Sequence, residues 1–449
     1  MSAVDSADLV IIGGGAIGSW ASCFAAEAGA GKVVVLEQGL AGAAVSSRAS
    51  GIVRVQGGSV PAIRLGSFSA GFYRRQQKEL WGVDSGFRQH GYLILALDDQ
   101  EVEDTKTRID MQRAEGLNVD WLDEKQALSA NPTLAQGTFV GAAYGRDDGA
   151  IDPARNIVAY QLAMRRCGVD LRERTRVTGF EFAGAGSRRI TGVKTDRGVI
   201  ATERVLLAGG LQQRALLEMA GIPRLQVGGV RHQVAVTAPH PAFDRNLLPM
   251  VLSLKAGTYW RIEDGGLLFG MTRPNEVPGE ARDIDEEVLA DMRNRVASLV
   301  PVTAGLGLRR IWAATIDYTP DALPIIGPAI GKEGAVAGLF LASAAGHGMM
   351  WGPGVAKAAV DLALHGHRRI GERASALAQQ HRLHEDGIAV LRSGERFRDA
   401  DVVAPEERLG LPDGREQPLA DLLVIGREIH ERSWSGQGDE RDAIVRMQV

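Results

Sequence analysis

Cysteine is almost missing from this chain: two residues, Cys23 and Cys167, among 449. Two thiols make neither a disulfide framework nor a metal cluster, which points to a reducing compartment. A strong excess of one charge is missing too. The net charge of −4 at pH 7 gives no electrostatic argument for nucleic acid or an acidic membrane surface. Residues 1–8 have neither the basic start nor the apolar core of a secretory signal. The longest apolar run, around residues 335–346, is too short and too glycine-rich to cross a bilayer. These absences predict a cytoplasmic chain without a membrane span or a nucleic-acid partner. Internal repeats, low-complexity tracts, a Walker phosphate loop, HExxH, zinc-ligand spacing and a nucleophile-elbow serine are also lacking.

Glycine, by contrast, is abundant at 56 residues, which suits several close backbone approaches to a ligand. The length allows two or three domains with their own cores. The chain is organised around V-I-I-G-G-G-A-I-G-S-W-A-S-C-F-A-A-E-A-G-A-G-K-V-V-V-L-E, residues 10–37. It reads as a buried strand over 9–12, a glycine turn, an alanine-rich helix over 16–28 and a second strand over 32–36. Gly13, Gly15 and Gly18 have G-x-G-x-x-G spacing, and Glu37 follows after 19 residues. Gly13 permits the tight turn, Gly15 lets backbone approach a pyrophosphate, and Gly18 lets helix and strand pack closely. The N–H groups at the helix start, around Ala16 and Ile17, meet the phosphate charge. Glu37, with Gln38 beside it, accepts from ribose hydroxyls. This combination predicts dinucleotide binding.

Beyond it, the small-residue loop 41–58 can lie against a planar ligand. A helix is expected over 62–80, a strand over 91–97, and helices over 101–115, 123–129 and 154–167. Strands are expected over 169–173, 177–183, 192–195 and 205–210, then over 230–237, 258–262 and 266–271. An acidic helix over 283–299 precedes a strand, a glycine loop at 346–348 and a helix over 349–364. The stretch 371–449 is highly charged and carries no chemical motif. The class is α/β with an α+β portion.

Five pieces in order carry a family resemblance. They are the fingerprint, S-S-R-A-S-G-I-V-R (Ser46 to Arg54), V-L-L-A-G-G (Val205 to Gly210), Y-T-P-D-A-L-P-I-I-G (Tyr318 to Gly327) and G-H-G-M-M (Gly346 to Met350). Over residues 7–370 the chain resembles the D-amino-acid oxidase superfamily of FAD-dependent oxidoreductases, nearest its sarcosine/dimethylglycine oxidase and dehydrogenase branch. The resemblance implies a Rossmann-like FAD-binding domain from segments 1–85, 145–225 and 317–370. It implies an antiparallel-sheet substrate domain from 86–144 and 226–316, leaving 371–449 as an extension for oligomer or partner-subunit contacts. Implied FAD contacts are the fingerprint residues, Ser46, Ser47, Arg48, Ser50, Gly51, Ile52, the Val177 backbone at the adenine, Ala208, Gly209, Gly210, and Gly346, His347, Gly348, Met349 and Met350. The last group opens a helix whose N-terminus would stabilise charge at flavin N1 and O2.

The implied activity is oxidation of the C–N bond of an amino acid or N-alkyl amino acid by hydride transfer to flavin N5, the imine then hydrolysing. The alternatives are a dehydrogenase of a D-amino acid or 2-hydroxy acid, or an FAD-bearing subunit of a larger complex. The electron acceptor is O2 or another oxidant. The sequence also departs from the family. The arginine that many relatives place before T-P-D is Ile316 here, so the carboxylate clamp is either missing or moved to Arg54, Arg261 or Arg231. Tyr259, Tyr318, His232 and His347 are further candidates for the catalytic site. The positions at which relatives tether flavin read Ala314, Ser47-Arg48-Ala49 and Arg155, which implies non-covalent FAD. The position at which some relatives place a lysine that promotes oxygen reactivity is near Leu268 here and holds none, which implies a dehydrogenase with another acceptor unless His347 supplies the charge.

Overall fold

The computed structural model describes residues 5–365, apart from 77–78, 223–226, 244–247, 272–275, 277–278 and 320–321. The charged stretch 371–449, and Pro320 and Asp321 of the T-P-D element, lie outside the described residues. Four sheets organise the rest. A six-stranded sheet runs in the order Ile325–Gly331, Gly334–Ser343, Val205–Leu207, Leu9–Ile12, Val33–Leu36, Asp170–Arg172. The first pair is antiparallel and the others parallel. Its central strands are apolar runs because both faces are covered, and Leu9–Ile12, Val33–Leu36 and Val205–Leu207 are buried throughout.

The helix Ala16–Glu27 packs on this sheet beside Gly348–His365. Trp20 is fully buried, stacked against Trp81 at 5.8 Å and edge-on to Phe72 at 4.9 Å. Burying a large apolar side chain stabilises by roughly 1.5–3 kcal/mol, which anchors this helix firmly. Among the described residues, no helix is long and apolar enough to cross a membrane.

An eight-stranded sheet gathers chain from two separated regions. Its order is Leu308–Tyr318, Gly228–Thr237, Gly266–Met271, Thr258–Glu263, Met250–Ser253, Tyr92–Ala96, Gly141–Gly145, Val119–Asp123. All its pairs are antiparallel except Met250–Ser253 with Tyr92–Ala96. The helix Glu286–Leu299, capped by the Asp285 carboxylate on the Val288 N–H, packs on one face. A three-stranded meander (Val177–Phe182, Ile190–Thr195, Gly198–Ala201) and the short pair Ile52–Val53 with Gly149–Ala150 complete the sheets.

Several expectations shift. The helix expected over 62–80 is Val60–Arg75, and Trp81 beyond it takes φ 52°. The strands Val119–Asp123, Gly141–Gly145, Met250–Ser253 and Leu308–Tyr318 are additional to those expected. G-A-A-Y-G (Gly141–Gly145) lacks a clear apolar alternation and is a strand because it is paired on both sides.

Candidate active site

The fingerprint glycines divide by what surrounds them. A Cβ on Gly13, whose φ is +113°, would meet the Ala208 carbonyl oxygen at 2.4 Å, and one on Gly18 the Gly13 oxygen at 1.9 Å. Both serve strand–helix packing. A Cβ on Gly15 would meet only Ser46 Oγ, at 3.3 Å. Gly15 caps the helix Ala16–Glu27 without a side-chain hydrogen bond, and no acid stands in the first turn. The Ser46 hydroxyl accepts from the Ala16 N–H at 3.1 Å. Ile17 packs on the core beside them. A helix start so arranged holds a positive dipole end ready for an anion.

Glu37 ends its strand with both oxygens engaged. Oε2 accepts from Gly14 N–H at 2.9 Å and Oε1 from Gly39 N–H at 2.7 Å. The acid therefore shapes the turn on which a ribose would rest, with Gln38 exposed beside it. Its own carbonyl accepts from Thr175 N–H, two residues before the buried Val177. Ala208, Gly209 and Gly210 close the neighbouring strand end: Ala208 N–H donates to the Ile12 carbonyl, Gly209 N–H to Gln213 Oε1 at 3.0 Å, and Gly210 takes φ +56°.

The loop 46–54 is tied to the eight-stranded sheet by two side chains. Trp312 Nε1 donates to the Arg48 carbonyl at 2.8 Å, and Arg261 Nε donates to the Ser50 carbonyl at 2.7 Å. The Ser47 hydroxyl and the Arg48 guanidinium turn back to carbonyls of residues 43 and 44. At Gly51, with φ +78°, a Cβ would lie 2.3 Å from the Ile151 oxygen. Ile52 is buried in the strand that follows.

A polar cluster lies where this loop, the sheet and the helix Gly348–His365 meet. Tyr259 Oη lies 2.7 Å from His232 Nε2, the rings stacked at 5.7 Å and 4°. Burial pushes the His232 pKa down to about 4 and holds the Tyr259 phenol well above its ordinary range. Gly346, at φ +81°, packs against the Tyr318 ring. His347 Nδ1 lies 2.7 Å from the Ala345 carbonyl, and its ring is 4.1 Å from Trp351 and 6.4 Å from Tyr318. Burial, with the Arg54 charge behind it, lowers the His347 pKa to about 4. Gly348 opens the helix, whose first turn has no acid. The Met349 carbonyl accepts from the Tyr73 hydroxyl at 2.8 Å, its sulfur faces Asn156, and Met350 packs between two cores.

The arginines separate clearly. Arg261 is 8% exposed and holds Glu263 at 2.6 Å besides the Ser50 carbonyl. Arg231 is paired with Glu276, Asp283 and Asp285 at 2.9, 3.3 and 3.1 Å. Both guanidiniums are committed to the protein. Arg54, half-buried, makes no ion pair within 4.0 Å among the described residues, yet its charge is felt by His347, Tyr92 and Asp148.

The profile of the family described as "DAO: FAD dependent oxidoreductase" matches residues 8–362. The chain belongs to this family. It is an FAD-dependent oxidoreductase. The chain is 30% identical over 349 residues to the glycine oxidase of Geobacillus kaustophilus (strain HTA426), covering 76% of this chain and 87% of that one. It is 27% identical to 4-methylaminobutanoate oxidase (formaldehyde-forming) of Paenarthrobacter nicotinovorans, over 80% of this chain, and spans 43% of that protein's length. Among solved structures, L-proline dehydrogenase from P. horikoshii superposes with a TM-score of 0.73 at 27% identity, covering 81% of this chain and 94% of that one.

The geometry fits FAD on its own terms: an acid-free helix start at Gly15, and a second at Gly348 beside the polar cluster. Ile316 lies in the edge strand opposite Val230 and Ala314 opposite His232, so these two positions offer neither a nucleophile nor a guanidinium. Leu268 is buried with Val234 and Val236. His347, held neutral, does not replace the missing positive charge at neutral pH. Reasoning from sequence missed Asp148, Trp312 and Gly270, whose parts depend on strand register and have no local signature.

Proposed function

We propose that the chain binds FAD non-covalently and oxidises the C–N bond of an N-alkyl amino acid, with Arg54 receiving the substrate carboxylate. The carrying observation is that Arg54 is left without an acid among the described residues, beside His347, while Arg231 and Arg261 are committed elsewhere. A planar guanidinium matches a carboxylate with two parallel hydrogen bonds. The names of the relatives support the class: glycine and 4-methylaminobutanoate are both amines bearing a carboxylate.

When bound, FAD supplies the hydride acceptor. The chain's residues hold and tune the substrate. Arg54 fixes the carboxylate and so sets which C–H bond faces the acceptor. Its positive charge disfavours an ammonium nearby, and a neutral amine is the form whose adjacent carbon releases hydride. His232 and Tyr259 are both neutral at pH 7 and offer hydrogen bonds to that amine without adding charge. The start of the helix Gly348–His365, which has no acid in its first turn, would help hold the cofactor and would favour negative charge placed at its positive end.

The test is anaerobic mixing of the FAD-loaded protein with N-alkyl amino acids, primary D-amino acids and 2-hydroxy acids. Loss of the flavin band at about 450 nm with an N-alkyl amino acid supports the proposal, and the rate of recolouring in air assigns the acceptor. Bleaching by hydroxy acids alone would refute it.

A further inference from the structure

We infer that Asp148, outside the substrate contacts, is the residue that positions Arg54, a role that rests on the reading of Arg54 as the carboxylate clamp. Asp148 is 0% exposed. Its Oδ1 accepts from the Val55 N–H and, at 3.2 Å, from the Gln56 N–H, the two residues directly after Arg54. Its Oδ2 accepts from Gln56 Nε2 at 2.7 Å, and the same nitrogen donates to the Tyr92 carbonyl at 2.9 Å. Three donors converge on one buried carboxylate.

Only an acceptor without hydrogens satisfies them all, since an amide nitrogen in place of Oδ2 would face the Gln56 amide nitrogen. The surroundings leave no slack. A Cβ at Gly145 would fall 2.2 Å from Asp148 Oδ2, and one at Gly66 would fall 2.5 Å from the Arg54 carbonyl oxygen. Gln112 Nε2 holds the Gly57 carbonyl, three residues beyond Arg54, at 2.9 Å. The backbone leaving Arg54 is thus fixed from three elements, whereas the guanidinium makes no ion pair with Asp148. The acid grips the chain and leaves the cation to a ligand.

Burial pushes the Asp148 pKa up to about 6, with the three donors and Arg54 opposing. The groups sensing this charge are Arg54 and the Tyr92 phenol, which burial holds well above its ordinary range.

The test compares FAD-loaded parent, R54A, D148N and Q56L. Propionate binding is followed through the flavin spectrum, and turnover is measured on an N-alkyl amino acid and on the matching amine without its carboxylate. A misplaced guanidinium predicts about tenfold weaker propionate binding in D148N. KM for the amino acid should rise similarly, with kcat and the carboxylate-free amine little changed. If R54A loses propionate while D148N binds it like the parent, the positioning role is overturned and the Arg54 reading stands. Equal losses on both amines would overturn it too, by showing general damage. If R54A binds propionate normally, the Arg54 reading itself falls. Should D148N not fold, Q56L decides. It removes one donor and keeps the acid, so severalfold weaker propionate binding is expected and unchanged binding refutes the role.

Discussion

The Tyr259 hydroxyl lies 2.7 Å from His232 although their strands are not neighbours in the sheet. The strand Gly266–Met271 runs between them, and Gly270 stands opposite both Tyr259 and Val234. A Cβ on Gly270 would lie 2.3 Å from the Tyr259 hydroxyl. The missing side chain is what lets the phenol cross.

Replacing that glycine should therefore act through the tyrosine. Y259F is expected to slow flavin reduction roughly ten- to a hundredfold, and G270A to do nearly the same. The double variant should be no worse than either single one, because both remove one contact. Stopped-flow reduction of the four proteins checks this, and additive losses would refute it.

Arg54 and Arg261 should fail in different ways. R54A is expected to raise KM for a carboxylate-bearing amine by about two orders of magnitude with the fold intact. R261A takes from Glu263 the nearer of its two arginines, leaving Arg310 at 3.3 Å, and releases the Ser50 carbonyl. Leaving a buried carbonyl without its donor costs about 1–3 kcal/mol, so lower Tm and poorer FAD retention are expected. Thermal melts beside substrate titrations separate the two.

The fingerprint glycines give a third contrast. G13A and G18A would drive a Cβ to 2.4 and 1.9 Å from backbone oxygens and should prevent folding. G15A meets only Ser46 Oγ at 3.3 Å, so it should fold and lose FAD affinity. Apoprotein melts and FAD titration read both.

Acid should destabilise the protein through its histidines. The His232 and His347 pKa values are lowered to about 4 from an ordinary 6.5. Below pH 6.5 the unfolded chain takes up protons that the folded one refuses, so stability falls with pH until about 4. Asp148, raised to about 6, works the other way: the folded state gains protons first as pH drops from 6 toward 4. Asp317, also raised by burial, acts with Asp148, whereas Asp5, Asp98 and Asp120, lowered by their cationic partners, act with the histidines, and the net is a fall. H347N should flatten the Tm–pH slope in this window, and D148N should steepen it.

The nucleotide-binding end was legible because its determinants are local. Gly13 to Glu37 is one strand–helix–strand unit, and the apolar runs announce it. The polar cluster was legible only as residue types. Arg54 and Arg261 carry the same charge in similar strand contexts, and what separates them is Glu263, two residues along the strand, and the Ser50 carbonyl, 211 positions away. Asp148 resembles any acid before a glycine, and its value lies in three donors brought by distant chain. Gly141–Gly145 was missed because pairing, rather than composition, makes it a strand.

The two ties on the loop 46–54 also bear on how the molecule assembles. Trp312 and Arg261 reach carbonyls 264 and 211 positions earlier in the chain. Contacts of such separation form late, since the closure entropy is offset only once the intervening strands have paired. The loop, proposed above to meet the cofactor, is therefore among the last parts to settle. A chain emerging from the ribosome makes the turn at Gly13 to Gly18 early, but the loop 46–54 is fully tied only after Trp312 has been synthesised. Cofactor capture then becomes a closing step of folding, and excess FAD during refolding should raise the yield more than the rate of the first collapse.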